Sequence, residues 1–177
     1  AATGTSLGIT GNITAPNITA NTGIFSGNGY GLSQIVGANV TGQRVANTGV
    51  SGTSPSQYAY QFTGAASVTA IGFAQRIEAV NCYDLAGTTA TLSVNLSNSL
   101  LTTITWTAYY ANTADTFGTV GTATKTQIAT GTFSVSSTLT NYSTQITIPS
   151  AATTGIEVVF TVAAQTSGTW VLGNIQL

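Results

Sequence analysis

The sequence predicts an all-β protein: an antiparallel, jelly-roll-like β-sandwich head over residues 58–177, preceded by a stalk of short β repeats over residues 1–57. Three observations carry that expectation. Apolar and polar residues alternate at period two in a series of short runs, as in Leu92-Ser93-Val94-Asn95-Leu96. No segment carries a helical stripe of useful length. Gly, Asn, Ser and Thr punctuate the runs at the even spacing of a two-sheet sandwich.

Taken in order, the first 57 residues are rich in Gly and Asn, with Leu7, Ile9, Ile13, Ile18 and Ile24 at short intervals. Asn12-Ile13-Thr14-Ala15 is repeated as Asn17-Ile18-Thr19-Ala20, and Ala20-Asn21-Thr22-Gly23 is echoed by Ala46-Asn47-Thr48-Gly49. Units this short cannot bury a face alone; they gain stability when stacked or wound around copies in other chains. Gly27-Asn28-Gly29-Tyr30-Gly31 reads as a turn, with no Lys to make it a phosphate loop. Leu32–Val36 is one helical turn or a strand. Pro55 marks the expected boundary.

Beyond it, strands are expected at 58–63, 67–73, 75–83, 91–96, 103–110, 126–136, 141–148, 156–162 and 169–177. Ile104, Trp106 and Ala108 share one face of their strand, and Thr103, Thr105, Thr107 and Tyr109 share the other. Ile156, Val158, Phe160 and Val162 likewise alternate with Glu157, Val159 and Thr161.

Composition narrows function. Only seven of 177 residues are charged: Glu78, Asp84, Asp115 and Glu157 against Arg44, Arg76 and Lys125, with no His. General acid–base catalysis and metal binding need clusters of groups that are nearly missing here, so neither an enzyme nor a metal or cofactor site is expected. No pair of carboxylates is spaced for glycoside hydrolysis. A net charge of -1 argues against nucleic acid and does little to keep copies apart, which favours an oligomer. Cys82 reads as a buried thiol in a strand-like run. No apolar run reaches the ~20 residues of a membrane helix, and the opening Ala1-Ala2-Thr3-Gly4 lacks the form of a signal peptide.

Phe25-Ser26-Gly27-Asn28-Gly29-Tyr30-Gly31-Leu32, with the Asn-Ile-Thr-Ala repeats before it, resembles bacteriophage tail-fibre and related virion-fibre sequences. The stretches from Gln75 to Tyr110 and from Gly155 to Leu177 are similar to the terminal heads of such proteins from tailed phages of aquatic bacteria. The resemblance implies a homotrimer with an intertwined stalk and three sandwich heads, located on the virion and so extracellular. It implies attachment to other virion proteins through an upstream region and recognition of a bacterial surface polysaccharide. The closing Gly168–Leu177 phrase also resembles the last strand of galactose-binding-like jelly rolls and carbohydrate-binding modules. Asn174 stands near a position where those often carry an Asp, sometimes tied to a structural calcium, and the exchange argues against a metal.

Two rival classes share this texture: a purely structural capsid fibre or decoration protein without a specific ligand, and a bacterial surface adhesin. Within the receptor-binding reading, the expected ligand residues are Tyr109, Asn112, Asp115, Phe117 and Lys125. They fall in the longest stretch without strand alternation, and loops carry function more often than strands do. Tyr109 lies on the polar face of its strand, exposed or at an interface. Phe117 offers an apolar platform for a sugar ring or else tucks back onto the domain. Trp106 is expected in the core, and Trp170 in the core or a subunit interface. Arg76 and Glu78, two apart, are expected on one side of a strand and available for a salt bridge.

Overall fold

The computed structural model describes residues 41–47, 57–118 and 124–177. Among the described residues the chain runs β1 (Thr41–Ala46), β2 (Tyr58–Thr63), β3 (Ile71–Ile77), a helical turn α1 (Ala79–Cys82) extended by a 3-10 turn (Tyr83–Leu85), β4 (Thr89–Asn98), β5 (Thr103–Ala111), β6 (Lys125–Ser134), β7 (Thr140–Thr147), β8 (Ile156–Val162) and β9 (Thr169–Gln176). One sheet has the order β1-β2-β9-β4-β7 and the other β3-β8-β5-β6, with every pairing antiparallel. From β2 onward the chain changes sheet at every connection except the β5–β6 hairpin, giving a jelly-roll-like sandwich.

Period-two alternation places the core. Leu92, Val94 and Leu96 of β4, Ile104, Trp106 and Ala108 of β5, Ile156, Val158, Phe160 and Val162 of β8, and Trp170 and Leu172 of β9 are all buried between the sheets. Trp106 and Trp170 are both core residues, as the strand faces require.

Two expectations change. The runs 67–73 and 75–83 are not two strands: β3 ends at Ile77 and the chain turns into α1. The Asp115 carboxylate accepts the Ala79 N–H at 2.7 Å, supplying from another loop a partner that a continued strand would have had to provide. Cys82, buried as expected, sits on this helical turn rather than on a strand. Glu78 therefore does not share a strand face with Arg76; it accepts from Asn81 Nδ2 at 2.8 Å, and Arg76 turns to Glu157 on β8 instead.

Residues 41–46, inside the segment read from sequence as stalk, form β1 on the edge of the larger sheet. They pair with β2 from Thr41↔Thr63 to Ala46↔Tyr58. Their sequence, TGQRVA, is held by backbone pairing, since all but the half-buried Val45 are exposed. The stalk repeats at 12–20, with Ile9, Ile13, Ile18 and Ile24, lie outside the described residues.

Candidate functional site

The five residues expected to bind ligand do converge, at the β5–β6 end of the smaller sheet. Three of them, Asn112, Asp115 and Lys125, bond other residues of the chain. Lys125 Nζ donates to Glu157, with its side chain only 1% exposed, and stands 5.2 Å from the Tyr109 ring centroid. Phe117 is buried, and the Arg76 guanidinium lies 5.1 Å from its ring centroid. Asn112 Oδ1 accepts from Thr126 Oγ1 at 2.7 Å, and Asp115 caps α1. Phe117 takes the tucked-back alternative because Gly155 leaves room for it: a Cβ there would meet Phe117 Cζ at 2.7 Å.

An open groove lies elsewhere, where the larger sheet overhangs the edge strand of the smaller one. It is built from β2 outward. In β2, Tyr58, Tyr60 and Phe62 face the same way, alternating with Ala59 and Gln61. Phe62 is held by stacking on Trp170, with centroids 5.1 Å apart, and Tyr60 packs edge-on against Phe62 at 4.9 Å. At the end of β2 away from the groove, the Gly64 and Ala65 N–H groups donate to the carbonyls of Gly168 (2.8 Å) and Gln165 (3.2 Å), fixing the strand's position. The sandwich core thus covers one end of this aromatic row and leaves the other open. Tyr58 is 47% exposed and Tyr60 41% exposed.

The groove has a volume of about 340 Å³, lined by Tyr58, Tyr60, Phe73, Arg44, Gln75 and Asn174 among others. That volume lies at the small end of the ~300–1,000 Å³ range typical of ligand sites. Phe73, on the facing edge strand β3, approaches Tyr60 with centroids 6.2 Å apart. Arg44, directly opposite Tyr60 on β1, lays its guanidinium over the Tyr58 ring at 4.1 Å. Gly42 leaves room for the Tyr60 ring, since a Cβ there would meet Tyr60 Cε1 at 2.8 Å. Asn174 is carried into the groove by an irregularity where β4 and β9 lose register, and it adopts φ 50°, a conformation Asn tolerates better than most residues.

Chemically, the groove offers three aromatic rings, two side-chain amides and one cation, with no carboxylate among its lining residues. The four carboxylates lie apart from it: Glu157 is buried against Arg76 and Lys125, Glu78 and Asp115 bond near α1, and Asp84 lies in the 3-10 turn. The arrangement can stack and hydrogen-bond a ligand. It brings no pair of acids to bear on one.

The sequence matches no family model and no curated protein. Solved structures align with much of this chain. The enzymatically active domain of tailspike protein 4 from bacteriophage CBA120 aligns with a TM-score of 0.51 at 16% identity, over 77% of this chain and 17% of the tailspike chain. A CBM4 structure aligns at TM-score 0.48 and 16% identity, over 67% of this chain and 68% of its own. A family 16 carbohydrate-binding module aligns at TM-score 0.48 and 14% identity, over 80% and 86%. At 16% identity the likeness to the tailspike domain is one of fold alone.

Proposed function

We propose that this chain is a non-catalytic, glycan-binding head of a virion fibre, and that the groove between β1, β2, β9 and β3 holds the sugar. The carrying observation is the pair of exposed tyrosines, Tyr58 and Tyr60, set beside Phe73 with Gln75 and Asn174 at hand. Aromatic faces stack on the apolar faces of pyranose rings while amides and hydroxyls bond the ring substituents. The virion setting is supported by the fibre-like Phe25–Leu32 phrase and by the shared fold with a phage tailspike domain. A head of this kind gains attachment strength when several copies are presented on one stalk, because each further contact becomes intramolecular.

Binding is tested by titrating an immobilised panel of neutral and acidic tetrasaccharides with the purified chain. Wild type is expected to bind at least one of them, and the Tyr58→Ala/Tyr60→Ala double variant is expected to lose at least tenfold in affinity, about 1.4 kcal/mol. A folded double variant that binds as wild type does would overturn the groove as the site. Failure of wild type to bind any sugar would favour a purely structural fibre module.

Residues preceding β1 are proposed as the stalk that joins three copies. Light scattering should then give three times the 17.9 kDa of one chain, and a monomer would remove the trimer.

A further inference from the structure

We infer that the groove selects an acidic sugar, a uronate or similarly carboxylated pyranose, through Arg44. This rests on the groove being the glycan site and adds the class of sugar it takes.

The inference begins with charge. The chain has three cations, and two of them, Arg76 and Lys125, share Glu157. All four carboxylate side chains are among the described residues, and none pairs with Arg44. In a chain where charges are this scarce, a guanidinium without a counter-ion is not one member of a generally charged surface. It stands among the aromatic rings of the one groove described above.

Geometry gives that guanidinium a task. Its carbon lies 4.1 Å from the centroid of the Tyr58 ring, so the cation is held over the face of that ring. The five N–H donors of a guanidinium are spread around its edge, more than one ring can occupy, so donors remain for an acceptor beside the ring. A carboxylate matches that edge with two parallel hydrogen bonds. The other polar groups lining the groove, Gln75, Asn174 and the two tyrosine hydroxyls, each donate and accept, as neutral sugar hydroxyls require. Arg44 only donates. A neutral sugar would leave most of its donors to water, and an acidic one would use them.

The charge is also placed to discriminate. The chain's net charge is -1, so no general positive field draws polyanions to it. Preference for an acidic sugar would therefore arise at the groove and follow the Arg44 side chain.

The test uses tetrasaccharides of galacturonate, glucuronate and mannuronate, each beside its fully methyl-esterified form, which keeps the ring and removes the charge. Isothermal titration of the whole chain is expected to show at least one free acid binding tenfold or more tighter than its ester. Arg44→Gln is expected to abolish that difference, so that acid and ester bind alike. Arg44→Lys, which keeps the charge but not the fork, should restore only part of it. Circular dichroism confirms that each variant is folded. Equal binding of acid and ester by wild type would overturn the acidic-sugar inference, and so would an acid preference that survives Arg44→Gln. Binding only of neutral tetrasaccharides, lost on Tyr58→Ala/Tyr60→Ala, would also overturn it while leaving the groove as the glycan site. If no saccharide binds, both fall together.

Discussion

Replacing Glu157 with alanine should destabilise the domain by about 3–5 kcal/mol, the cost expected when one partner of a buried ion pair is removed. Glu157 points from β8 to the outer face of the smaller sheet, yet it is fully buried. Its neighbours there are Arg76 on β3 and Tyr109 on β5, each directly opposite it in register. Arg76 Nε donates to Glu157 Oε1 at 2.8 Å, Lys125 Nζ donates to Oε2, and Arg76 also reaches the Gly118 carbonyl at 2.9 Å. One carboxylate thus links β3, β6 and the loop after β5.

Without it, the Lys125 ammonium would remain in a nearly waterless site with no counter-ion, whereas Arg76, 47% exposed at its side chain, can turn to solvent. The Lys125→Met/Glu157→Leu pair removes both buried charges and should cost less than Glu157→Ala alone, so the two sites should couple strongly. Urea unfolding of the single and double variants measures this. A loss below 1 kcal/mol in Glu157→Ala would show that the triad is not the fastening described.

The second large effect is expected at Trp170. Truncation to alanine should cost about 3–5 kcal/mol, combining lost apolar burial with the cavity left behind. Trp170 is fully buried, opposite Phe62 on one side and Asn98 on the other. Its indole Nε1 is buried without a hydrogen-bond partner, so Trp170→Phe gives up volume but no polar contact and should cost far less. Because Phe62 stacks on Trp170 and Tyr60 packs on Phe62, the alanine variant should also weaken sugar binding at a groove it does not touch. Thermal unfolding and the tetrasaccharide titration together check this. Equal destabilisation by Phe and Ala would contradict the packing reading.

How far the sequence disclosed this structure follows from what each element depends on. The strands that bury one face announced themselves: β2 and β8 keep the bounds expected from alternation, and Trp106 sits on the face its neighbours Ile104 and Ala108 define. β1 did not, because an exposed edge strand held by backbone pairing leaves no apolar rhythm. The break at Glu78 was hidden for another reason, since the group that satisfies Ala79 N–H comes from Asp115, 36 residues away.

The site was harder still. Lys125 and Asp115 looked available because their partners, Glu157 and the Ala79 amide, are set by strand register and loop packing rather than by local spacing. The groove joins residue 44 to residue 174 through four strands, so no local motif could spell it. One trace was legible in Tyr58-Ala59-Tyr60-Gln61-Phe62: three aromatics on one face of a short strand are more than a sandwich edge needs for its core.

The central claim, that a sugar lies in the aromatic groove, is tested most directly by mapping amide NMR shifts as the bound tetrasaccharide is titrated in. The largest changes should fall on Tyr58–Tyr60, Phe73–Gln75 and Gly173–Ile175, with Tyr109–Lys125 nearly still. Shifts concentrated on Tyr109, Asn112, Asp115 and Lys125 would place the ligand on the β5–β6 loop instead and contradict the claim.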